Sequence, residues 1–141
     1  MTAVATVSQV DYERGMIKVT LPERDNAVSN WIGMPANEYD MPKVGEAVMC
    51  SFDEGNLSTG ICHGKHYHTK NMPVESGPTT YYLPMCGDMV VKYDSATKTL
   101  EIDADIVKIS GDLEIDGDVE IAGDLNATGT VTAAAVIEGG G

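Results

Sequence analysis

Short runs of alternating apolar and polar residues fill the first half of this chain. Val4-Ala5-Thr6-Val7-Ser8-Gln9-Val10 has the two-residue period of a strand with one buried face, and Met16-Ile17-Lys18-Val19-Thr20-Leu21 repeats it. Asp11-Tyr12-Glu13-Arg14-Gly15 between them has the composition of a hairpin loop. A polar loop leads to a short apolar stretch, Trp31-Ile32-Gly33-Met34. A second hairpin follows, with Ala47–Phe52 and Leu57–Cys62 as strands and Asp53-Glu54-Gly55-Asn56 as the turn. Five short strands without a convincing helix predict a small OB-type barrel over residues 1–68. Residues 69–80, with Asn71, Pro73, Gly77 and Pro78, read as a linker. Alternation resumes at Tyr81-Tyr82-Leu83, Met89–Tyr93 and Leu100–Ile106, with a turn at Asp94–Thr97.

From Gly111 the period changes. GDLEID, GDVEIA, GDLNAT and GTVTAA form four hexads, each opened by glycine: Gly111, Gly117, Gly123 and Gly129. The third and fifth places are apolar throughout: Leu113 and Ile115, Val119 and Ile121, Leu125 and Ala127, Val131 and Ala133. A fixed repeat dictates architecture directly, and these glycines read as turns between two-residue-period strands. A lone ribbon of this kind would leave its apolar residues wet and its backbone edges unpaired. One chain coiling into a parallel β-helix, as in hexapeptide-repeat enzymes, would answer this. So would several identical chains intertwining. Four hexads provide too few coils to stack in one chain, whereas intertwined copies pool their strands in one core. Closed cyclic symmetry then favours a homotrimer. The predicted fold class is all-β: an N-terminal barrel, the start of a trimeric shaft over 81–109, and a triple-stranded β-helix with apex over 110–141. Side-chain size falls along the repeat, as a narrowing needle would require.

The chain has 141 residues and a net charge of −13. Ten acids and one base, Lys108, lie between Leu100 and Gly141. Such a field opposes nucleic-acid binding and keeps a β-rich rod soluble. Met1-Thr2-Ala3 lacks the basic start and apolar run of a signal peptide, so none is expected. Cys50, Cys62 and Cys86 lack zinc-type spacing and read as reduced core thiols made in a cytoplasm.

Trp31-Ile32-Gly33-Met34, Met41-Pro42-Lys43-Val44-Gly45-Glu46-Ala47-Val48, Phe52-Asp53-Glu54-Gly55 and Gly60-Ile61-Cys62-His63-Gly64, in this order ahead of terminal hexads, resemble the baseplate assembly V or central spike family of contractile phage tails and related injection machines. The strongest local match is Pro42-x-x-Gly45-x-x-Val48 with the glycine-rich strand after it. The resemblance spans nearly the whole chain in layout. It implies a non-enzymatic homotrimer in a virion or phage-tail-like particle, whose barrel docks on a baseplate hub protein and whose shaft pierces the target cell envelope. Two departures limit it. The last forty residues hold no His or Cys, so the apical His-x-His metal site of some relatives is not carried over. The linker has no room for the lysozyme domain of others. An apex ending in Gly139-Gly140-Gly141 leaves a place for a separate cap protein.

Other chemistry is weaker. His63, His66 and His68 are the metal candidates, with 66 and 68 on one face if the strand continues. Three ligands and a supporting shell are the usual need, and the expected role is instead the solvent-facing end of the barrel's last strand. No cofactor is expected. Asp112, Asp118 and Asp124 recur every six residues, not the nine of a calcium-binding β-roll, and read as turn or solvated charges. Acid pairs such as Glu114 and Asp116 have no aromatic platform for a sugar beside them. Trp31 is expected to pack in or beside the barrel rather than stack a base or sugar. The rival readings are an OB-fold binding module with an acidic tail and a hexapeptide-repeat β-helix enzyme.

Overall fold

A computed structural model describes every residue except Gly55, Cys86, Asp88, Met89, Gly140 and Gly141. The thiol expected at Cys86, the strand start at Met89, the turn glycine at 55 and the last two apex glycines therefore lie outside the described residues. The chain divides into two compact units, Met1–Asp105 and Ile106–Gly141.

The first unit is all-β apart from one 3-10 turn at Pro22–Arg24. Its strands are β1 (Thr2–Asp11), β2 (Met16–Leu21), β3 (Ala27–Val28), β4 (Ile32–Gly33), β5 (Ala47–Asp53), β6 (Asn56–Lys65), β7 (Thr80–Pro84), β8 (Val90–Asp94) and β9 (Thr99–Asp103). Five of them close a barrel in the order β1-β5-β6-β4-β2, with β2 returning to β1 and β3 appended to β2. This connectivity is compatible with an OB-fold. Four seams are antiparallel, and the fifth is a parallel contact of β4 with β6 through a single register pair, Gly33 with Ile61.

Alternation determines which side chains enter. Every second residue of β2 and of β5 is buried: Ile17, Val19 and Leu21, then Val48, Cys50 and Phe52. Ala5, Val7, Ile32 and Cys62 complete the core. One buried polar group is fully used: Ser29 Oγ accepts from the Val19 amide at 3.0 Å and donates to the Asn30 carbonyl at 2.7 Å. Unpaired, it would cost about 1–3 kcal/mol.

The Pro42–Val48 motif is structural. Pro42 is buried in the core, and Gly45 adopts φ +94°, a conformation that side-chain-bearing residues rarely adopt. The turn places the Gly45 amide on the Val7 carbonyl at 2.8 Å, and the Val7 amide on the Glu46 carbonyl at 2.9 Å. It thereby extends the β1–β5 ladder where β1 carries a bulge between Val7 and Gln9. The Glu46 carboxylate closes the turn by accepting from the Lys43 amide at 2.7 Å.

Strands β7, β8 and β9 form an antiparallel meander in the same unit. Its last strand is exposed at every position. Trp31 and Met34, expected within a four-residue strand, flank a β4 of only two residues.

Candidate functional site

The repeat carries the expected apolar ladder, and that ladder is uncovered. Leu113 is 67% exposed, Ile115 52% and Ile121 48%, with Val119, Leu125 and Val131 equally open. All described residues from Asp105 onward are exposed. No strand or bridge is assigned in this second unit among its described residues. The triple-stranded β-helix is thus not formed within one chain. Among the described residues of this unit no backbone hydrogen bond is made, although they retain strand-like apolar spacing. Aliphatic side chains in such an array carry the free-energy cost of contact with water.

The glycines are not equivalent. Gly111 and Gly117 take φ +138° and +145°, a region essentially closed to other residues. Gly123 and Gly129 do not, and neither has an atom within 4 Å of where a side chain would begin. The first two turns therefore require glycine in this conformation, whereas the last two merely tolerate it.

The meander supplies a second apolar surface. Register aligns Tyr81 with Tyr93 and Leu100, and Leu83 with Val91 and Ile102. All six side chains share one face, and none is buried. The opposite face is polar and tied down. Lys92 Nζ lies 3.3 Å from Glu101 and 3.4 Å from Glu75, which together hold its pKa above the ordinary lysine value. Beside it the Tyr82 hydroxyl accepts from the Val74 amide at 3.3 Å. Only register between three strands reveals this two-faced sheet; alternation within one strand gives half of it.

The histidines are brought near one another without forming a metal centre. Strand β6 ends at Lys65, so His66 and His68 do not share a strand face as the alternation suggested. A turn follows instead, closed by paired backbone bonds between His68 and Asn71, and it leaves the two rings 5.2 Å apart. His63 hydrogen-bonds Ser51 Oγ through Nε2 at 2.6 Å, and His68 Nδ1 accepts from the Lys70 amide at 3.2 Å. His66 Nδ1 is buried without a hydrogen-bond partner among the described residues, at the edge of a cavity of about 420 Å³. No group of three His, Cys, Asp or Glu side chains is placed to hold a metal among the described residues.

Trp31 packs beside the barrel as expected, but with partners that the sequence did not disclose. Arg14 Cζ lies 5.2 Å and Lys18 Nζ 5.1 Å from the ring centroid. Arg14 is held there by Asp11, whose carboxylate meets Nε at 2.7 Å. The ring is thus engaged by the chain's own cations rather than left open for a base or sugar. Among known proteins, no family model and no curated sequence matches this chain.

Proposed function

We propose that this chain is the central spike of a contractile, phage-tail-like injection apparatus, working as a non-enzymatic homotrimer. The observation that carries the reading is the uncovered aliphatic ladder from Leu113 to Val131, which follows a unit with a well-packed barrel. Three copies braided along the repeat would bury those side chains against one another and pair the edges that a single chain leaves open. The apolar meander face, continuous in sequence with the repeat, would form the wider start of the same core. The Pro42–Val48 turn and the glycine-rich β6 have structural roles in the barrel. The outer acids would then stand as a solvated coat that discourages edge-to-edge aggregation.

In this reading the shaft supplies stiffness and the barrel supplies attachment to the baseplate hub. Force from sheath contraction would pass along an axis without open strand edges, into the target envelope. No proton transfer, nucleophile or cofactor is required. The test is electron microscopy of contractile particles whose copy of this chain carries a gold-binding tag at its C-terminus. Label at the baseplate tip is expected. Label on the sheath or tube, or particles that lack the chain altogether, would overturn the assignment.

A further inference from the structure

The barrel core contains two thiols that the mechanical reading leaves unused. Cys50 on β5 and Cys62 on β6 are register partners across one antiparallel seam. Both are buried, at 0% and 2% exposure, and both are free. Opposed residues in such a pair have α-carbons about 4.5–5.5 Å apart, inside the roughly 4.4–6.8 Å that a disulfide spans. The Gly64 amide donates to Cys62 Sγ at 3.3 Å. The neighbouring Cys50 thiol and this amide bond favour the Cys62 thiolate, so the Cys62 pKa falls to about 7 while that of Cys50 rises. The pair is therefore asymmetric, with Cys62 the attacking sulfur and Cys50 the one that resolves.

Access to the sulfur would come through the neighbouring seam. The barrel closes there through the single parallel pair Gly33–Ile61, the residue just before Cys62. Local opening concentrates where few backbone bonds hold two strands. A reagent as small as a peroxide needs little more than such an opening to reach the sulfur.

We propose that Cys50 and Cys62 form a peroxide-reactive dithiol centre that oxidises to a cross-strand disulfide beside the barrel's closing seam. The Cys62 thiolate attacks one peroxide oxygen, the O–O bond breaks, and the departing hydroxide takes up a proton to become water. Cys50 sulfur then attacks the resulting sulfenic sulfur. The S–O bond breaks, the S–S bond forms, and the expelled hydroxide leaves as a second water with the Cys50 proton. Two thiols and one hydrogen peroxide thus give one disulfide and two waters. The chain would be built reduced and stapled when exposed to oxidant.

The test treats the intact folded chain with hydrogen peroxide, then denatures it in N-ethylmaleimide and weighs it. Alkylated thiols should fall from three to one, and cleavage at Asp53 should yield the Cys50 and Cys62 peptides joined until a reductant is added. The Cys50→Ser variant should form a dimedone adduct at Cys62 before any at Cys86. The proposal is overturned if Cys50 and Cys62 both remain alkylatable at peroxide levels that consume Cys86. A link from either residue to Cys86 would overturn it equally.

Discussion

Ile121 offers the sharpest test of the ladder, because its neighbour Glu120 points the other way in a two-residue period. On the single chain Ile121 is 48% exposed, so about half of its surface remains to be covered on association. Full burial of such a side chain contributes about 1.5–3 kcal/mol, which leaves roughly 0.7–1.5 kcal/mol per chain and about 2–4 kcal/mol for three. Replacing Ile121 with Asp forfeits that gain, which alone weakens association roughly 30- to 1,000-fold. It also brings three like charges toward one axis, at a further cost of several kcal/mol per desolvated ion. Sedimentation velocity of the I121D chain at micromolar concentration should therefore show dissociated chains. The barrel of I121D should melt as in the parent, since residue 121 lies outside that packed unit. Glu120→Gln should leave association intact. An I121D chain that associates as tightly as the parent, or an E120Q chain that dissociates, would refute the assignment of inward and outward positions.

Two further outcomes concern the first unit. Gly60→Ala should lower the barrel's denaturation midpoint, because the new methyl carbon would lie 2.5 Å from Phe52 Cδ1 and 3.0 Å from the Ser51 carbonyl oxygen. Overpacking of this kind costs about 1–3 kcal/mol, and an unchanged urea midpoint would contradict the packing described around Phe52. Asp94 accepts from the Ala96 amide at 2.9 Å and from Thr79 Oγ1 at 3.0 Å, and these bonds, the amide first, pull its pKa below the ordinary aspartate value. The depressed value means that its support of the β8–β9 turn is complete above the unfolded-state pKa of about 3.9. That support fades as pH falls through the lower folded value. Ala96 amide protection should follow this acid limb in the parent and lose it in Asp94→Asn; identical profiles would show that the carboxylate does not hold the turn.

Local alternation carried the barrel a long way. Strand β2 was legible to the residue, and β1, β5 and β6 to within a few, because each presents one face to a core that enforces the two-residue period. Strand β3 was not legible. Ala27–Val28 is too short for a period and exists because β2 offers it an edge. The β4–β6 closure was equally hidden, since one parallel register pair leaves no mark on composition. The place of Trp31 at the barrel was legible, but the two cations of the first hairpin that engage its ring, Arg14 and Lys18, were not. His66 and His68 would have shared a face had β6 continued; the turn beginning beyond Lys65 removed that geometry. The hexads show the opposite limit. Their period is unmistakable, but no described residue of the same chain covers the apolar positions it marks.

The proposed spike requires three copies to complete that open ladder. Sedimentation equilibrium of the full-length chain, run from submicromolar to tens of micromolar, measures this directly. The expected result is a single species of three chains that persists on dilution, with the hexad region resistant to protease. A well-folded monomer throughout that range, with residues beyond Asp105 readily digested, would contradict the central claim.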